Sequence, residues 1–153
     1  MEITNLILPK ATRPLNSIII HCAMTRPTMN TSVYDIEQWH IARGFNEIGY
    51  HYYIKFNGTL HLGRDLNKVG AHCKSKNTGS IGICLEGGWD GKYDYTPEQE
   101  KTLASLLIHL TDEYTISLQN IHGHNEFDKG KTCPNFFVPD WVKRLDKYLF
   151  VSK

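Results

Sequence analysis

The sequence predicts an α/β fold, with a single mixed β-sheet flanked by about three α-helices. Three observations carry this. The runs Ser17-Ile18-Ile19-Ile20-His21 and Ser80-Ile81-Gly82-Ile83-Cys84-Leu85-Glu86 are short and rich in β-branched residues, with no two-residue period, as buried strands are. Two longer stretches, Val33–Arg43 and Pro97–Tyr114, repeat apolar residues at helical spacing. Between them, Asn57-Gly58 joins an aromatic stretch to a second strand-like one, a strong hairpin signal that adds an antiparallel pair.

Taken in order, Ser17–His21 is the first strand. The segment Thr25 to Thr31 holds Pro27 and reads as a loop, and Thr31 or Ser32 can cap the helix that follows. In that helix Val33, Ile36, Trp39 or His40, and Arg43 recur on one face, and Gly44 is a fitting stop. Tyr50–Phe56 is aromatic and strand-like, and Thr59-Leu60-His61-Leu62-Gly63-Arg64 is the return strand. Ser80–Glu86 is a further strand, ended by Gly87-Gly88. Thr96-Pro97-Glu98-Gln99 combines a capping box with Pro at the first helical position, and Leu103, Leu106, Leu107 and Leu110 continue the helix to about Tyr114. Ile121 begins a short strand or loop, and Asp140–Leu149 is a final helix.

A chain of 153 residues is expected to form one domain, spanning 1–153, with room for a real core. Hydrophobic content of 41% and charged content of 22% are ordinary for a globular protein, and the net charge of +1 comes without a long Lys/Arg run. No nucleic-acid partner is therefore expected. Met1–Lys10 lacks a basic start followed by a long apolar stretch, so no signal peptide is expected. No segment is long enough to span a bilayer, and membrane insertion is not expected either. Synthesis in a cytoplasm would keep Cys22, Cys73, Cys84 and Cys133 as thiols, favouring metal or buried roles over disulfides.

The chemistry gathers at the strand ends. His21 closes a buried strand, and a hundred residues on come Ile121-His122-Gly123-His124-Asn125-Glu126 and Lys131-Thr132-Cys133-Pro134. His21, one of His122 and His124, and Cys133 could close on one zinc ion. Three protein ligands leave the fourth tetrahedral position open, which is the pattern of catalytic rather than structural zinc. Against this stands the commoner fate of a strand-end histidine, which is to be packed or hydrogen-bonded. His21 and Cys22 point to opposite strand faces, so they do not form a nucleophile–base dyad. No pair of carboxylates presents itself as a glycosidase acid and nucleophile.

The stretches IIIHCAMT, DIEQWHIARGFNEIGYHYYI, NGTLHLGRD, VGAHC, NTGSIGICLEGG, TPEQ and KTCPNF occur in this order from about residue 17 to 137. In this combination the chain resembles the zinc-dependent N-acetylmuramoyl-L-alanine amidases, a group that includes the peptidoglycan recognition proteins and the short phage lysozymes that are amidases. The resemblance implies a peptidoglycan recognition protein-like fold and one zinc per chain. It implies His21, His124 and Cys133 as ligands, with His122 the alternative to His124. Tyr50 matches an active-site tyrosine and Lys131 an oxyanion-stabilising lysine, with Lys129 the weaker candidate. His72 and Asn77 fall on substrate-facing loops. The implied reaction is cleavage between N-acetylmuramic acid and L-alanine of cell-wall peptidoglycan, in phage lysis of a host. The enzyme would be made in the host cytoplasm and act on the wall after release. A monomer is expected, and a regulatory protein partner is left open. The other reading of the resemblance is a module that binds peptidoglycan without cutting it, against which Cys133 argues. Read from their patterns, Trp39 is a core residue rather than a sugar platform, and Cys22 and Cys84 are buried small hydrophobes.

Overall fold

The computed structural model describes residues 8–146, and its five strands are β1 (Ser17–Cys22), β2 (Tyr52–Ile54), β3 (Leu60–Leu62), β4 (Ser80–Leu85) and β5 (Ile121–Gly123). They form one sheet in the order β3-β2-β4-β1-β5. β1 pairs in parallel with β4 and β5, and β4 with β2; only β2 and β3 are antiparallel. The helices are α1 (Val33–Ala42), α2 (Pro97–Glu113) and α3 (Val138–Val142). This is the mixed sheet with three helices that the sequence predicts. No helix among the described residues is long and apolar enough to cross a membrane.

Strand alternation divides the core in two. Ile18, Ile20 and Cys22 of β1, Ile81, Ile83 and Leu85 of β4, and Tyr52 and Ile54 of β2 share a buried cluster with Leu103, Leu106, Leu107 and Leu110 of α2 and Trp141 of α3. The opposite face carries Tyr53 and Cys84, packed with Ile36 of α1 and Ile48. His21 and Gly82 belong to this second face by the same alternation. The side of the sheet facing α1 is thus less filled with aliphatic side chains, and that is where the polar residues gather.

Local chemistry explains the element ends. Ser32 caps α1 with a complete capping box to Asp35. Thr96 does the same for α2 through Gln99, with Pro97 in the first turn. The buried Gln99 amide also donates to the Ile54 carbonyl at 3.2 Å and the Glu86 carbonyl at 2.9 Å, tying the start of α2 to the ends of β2 and β4.

Several boundaries differ from the sequence reading: β2 and β3 are each shorter at both ends than expected, and three differences have a local cause. β2 stops at Ile54 because the Phe56 N–H turns to the Glu86 carboxylate, 2.8 Å away. The hairpin turn is closed by Gly58 N–H on Lys55 O, at 2.8 Å, with Gly58 alone in the left-handed region (φ 85°). This is a three-residue loop, Phe56-Asn57-Gly58, rather than a two-residue Asn-Gly turn. α3 begins at Val138, two residues before the expected Asp140, and ends at Val142; after a turn at residues 143–144 the chain is helical again at Leu145 and Asp146. The rest of that predicted helix from Lys147 onward, and most of the N-terminal segment Met1–Lys10, lie outside the described residues.

Candidate metal centre and active site

The site lies at the carboxyl ends of β1 and β5, neighbouring parallel strands, where α/β sheets commonly place their ligands. His21 is the second-last residue of β1 and is only 1% exposed. His124 opens the turn directly after β5, and its ring centroid is 4.8 Å from that of His21. Cys133 arrives from the following loop, which is held on several sides. Asn125 N–H donates to the Cys133 carbonyl at 2.8 Å, and the Tyr95 hydroxyl to the Pro134 carbonyl at 2.7 Å. Asn135 donates to the carbonyls of Gly88 and Lys92, each at 2.9 Å. One ligand atom from each of His21, His124 and Cys133 then lies within 4.8 Å of the other two.

This donor set fits zinc by its chemistry. Burial, followed by the neighbouring His72 and His124, holds His21 well below the usual imidazole range, so its ring is neutral and offers a lone pair. Burial also lowers His124, with Asp128 opposing the shift. A hydrogen bond with Cys22, followed by burial, pushes the Cys133 thiol up, so a thiolate there needs a cation such as a bound metal beside it. The Cys22 N–H already donates to the Cys133 sulfur at 3.0 Å.

The alternative ligand His122 is placed elsewhere. It stands level with Ile19 in the β1–β5 register, two residues short of His21. Its Nδ1 is 2.9 Å from the Glu126 carboxylate and its ring packs edge-on against Phe127. Glu126 also accepts the Gly123 N–H, so the His122 contact is part of the turn that delivers His124.

Two further predicted residues border the cluster. The Tyr50 ring centroid is 5.0 Å from that of His21. Burial pushes its hydroxyl well above the usual phenol range, so it remains a hydrogen-bond donor. Lys131 is exposed on the turn closed by its own N–H on Asp128 O at 3.0 Å, and its charge is among those acting on His124.

His72 and Asn77, expected on substrate-facing loops, both make hydrogen bonds within the protein. His72 is 8% exposed, and both ring nitrogens have protein partners, His21 and Ser80. The Asn77 side-chain oxygen accepts the N–H groups of His72 and Cys73, both at 2.9 Å, and so holds their loop together. Trp39 is corrected: it is 41% exposed, while His40 takes the inward position and accepts the Gly49 N–H at 2.8 Å. Cys22 and Cys84 are buried as expected, and Cys73 joins them.

Glu86 is the residue whose importance the sequence reading missed. It is 1% exposed, and its carboxylate accepts the N–H groups of Thr31 and Phe56, each at 2.8 Å. It pins the loop before α1 to the hairpin. The available signal was an acidic residue directly ending a fully buried strand.

The chain is similar to several known proteins. Residues 11–136 match the family described as N-acetylmuramoyl-L-alanine amidase. The endolysin of Enterobacteria phage T3 is 42% identical over 140 residues, covering 89% of each chain. Among solved structures, the endolysin N-acetylmuramoyl-L-alanine amidase LysCS of Clostridium intestinale superposes with a TM-score of 0.77 at 31% identity, covering 88% of this chain and 85% of that one. The Drosophila peptidoglycan recognition protein LB follows with a TM-score of 0.68 at 26% identity, covering 85% and 82%.

Proposed function

The chain belongs to the N-acetylmuramoyl-L-alanine amidase family, and on that premise we propose that it works with a single zinc ion held by His21, His124 and Cys133. Its activity is hydrolysis of the amide between N-acetylmuramic acid and the L-alanine of the peptidoglycan stem, and its setting is phage lysis of a bacterial host. The observation that carries the metal reading is the convergence of two imidazoles and one thiol, from three separated stretches of chain, within 4.8 Å.

Bound in such a site, zinc polarises a carbonyl and lowers the pKa of water to about 7. The protein's own groups do the rest. The Cys22 N–H holds the Cys133 sulfur in place. The Tyr50 hydroxyl, kept protonated by burial, donates to the amide oxygen as that oxygen gains negative charge. Lys131 adds a positive charge from the exposed rim. A single donor of this kind is worth on the order of 3 kcal/mol of transition-state stabilisation. We further propose that residues 1–153 act as one catalytic domain, as a monomer, made in the host cytoplasm and acting on the wall after release.

The deciding experiment digests purified cell walls with and without a chelator and assays two end groups. New amino groups on L-alanine, no new reducing sugar ends, and loss of activity with the chelator that zinc restores are expected. Reducing ends without amines would mean a glycosidase. Wall binding without either product would mean a recognition module.

A further inference from the structure

His72 touches the metal cluster without belonging to it. Its Nδ1 lies 2.8 Å from Nε2 of His21, and its Nε2 lies 3.1 Å from the Ser80 hydroxyl. The Ser80 hydroxyl donates in turn to the Asn77 carbonyl, at 3.1 Å. A hydroxyl has one proton to give. Once Ser80 gives it to Asn77, its oxygen can only accept from His72, so the proton of the neutral His72 ring is on Nε2. Nδ1 of His72 is then bare and accepts from Nε2–H of His21. The lone pair left on His21 is on Nδ1.

The surroundings are shaped for this ring. A Cβ on Gly82 would come within 2.6 Å of His72 Cγ and Cδ2, and one on Gly70 within 2.6 Å of Cδ2. The ring therefore fills space over β4 that a side chain at Gly82 would take, on the same sheet face as His21. Asn77 fixes the backbone of His72 from the other side.

Resting on the zinc reading above, we propose that His72 is a positioning residue of the metal centre. It accepts a hydrogen bond from Nε2–H of His21, fixes that ring's tautomer and tilt, and so presents Nδ1 of His21 to the ion. Metal-bound histidines generally donate their other ring N–H to an outer partner, and loss of that partner costs roughly 10- to 100-fold in metal affinity. Here the partner is a second histidine, which acts as an acceptor only while its own far nitrogen is protonated. Ser80 and the Asn77 carbonyl ensure that it is.

The test compares the full-length protein with His72→Phe, which fills the space without an acceptor, and His72→Asn, which keeps one. Zinc affinity is measured by competition with a chromogenic chelator, and the tautomer of His21 by long-range proton–nitrogen NMR of the zinc-loaded protein. Expected are His21 protonated on Nε2, a roughly 10- to 100-fold loss of affinity in His72→Phe, and recovery of most of it in His72→Asn. His21 protonated on Nδ1, or unchanged affinity in a folded His72→Phe, overturns the proposal and leaves the zinc site standing. Equal losses in the two variants also overturn it, because the acceptor would then be irrelevant. A wild-type protein that takes up no zinc overturns both readings together. If His72→Phe does not fold, the tautomer of His21 in the wild-type protein decides alone.

Discussion

At the scale of single residues, two histidines two positions apart have been given different work. The His122 contact with Glu126 helps build the turn, and His124 reaches the cluster. Zinc analysis should therefore find His124→Ala depleted of metal and His122→Ala close to one ion per chain. The opposite result would move the ligand to His122. Tyr50→Phe should keep zinc and fold while kcat falls roughly 100- to 1,000-fold, as when one oxyanion donor is removed. Wild-type turnover in that variant would take Tyr50 out of the mechanism. Residue types and order made His21 and Cys133 readable in the sequence. The preference for His124 over His122 came from the resemblance alone, because alternation along a three-residue strand fails once the chain turns at Gly123. The roles of His72 and Asn77 were hidden for a related reason. Both depend on a loop that folds back onto β4, and nothing in the local spelling says which way a ring nitrogen faces.

At the scale of elements, β1, α1, β4 and α2 were legible because each carries its own signal: unbroken β-branched runs, or a capping box ahead of an apolar stripe. The start of α3 was misplaced by two residues because it opens on Val138-Pro139, with no capping side chain to mark it. The hairpin was recognised but its turn was shifted, since Phe56 is drawn off the ladder by Glu86, a long-range contact. Gln99 shows how one side chain can join several elements. It completes the α2 capping box and also satisfies two buried carbonyls, at the ends of β2 and β4. Gln99→Leu keeps the volume but leaves the buried Glu86 carbonyl without its donor, while the Ile54 carbonyl retains the Glu86 N–H. With the cap lost as well, a loss of about 2–4 kcal/mol is expected in urea unfolding, against about 1 kcal/mol for a cap lost at an exposed helix end. A loss below 1 kcal/mol would show that water or a neighbouring group replaces the amide.

For the whole molecule, buried neutral histidines set the response to acid. Burial holds His40 down to about 4, helped by Arg43 and Arg64. It also holds His51 down to about 4, against the pull of the Lys68 carbonyl. Both protonate near 6.5 once the chain unfolds. Between about pH 6.5 and 4 the unfolded state thus binds more protons than the folded one. The stability these groups contribute is complete above pH 6.5 and falls as the pH drops toward 4. Urea unfolding of the metal-free protein should lose up to about 1.4 kcal/mol per pH unit for each histidine in that window. A flat profile there would mean that neither ring is held neutral by the fold. The sheet itself has a consequence for how copies of the protein meet. Its two six-residue strands are neighbours inside it, while β3 and β5 at the margins run for three residues each. Leu62 on β3 is 52% exposed, yet the margin around it is too short to template a strand from another molecule. Crowded copies therefore meet through side chains, with no open run of backbone in the described sheet long enough to knit two sheets into one.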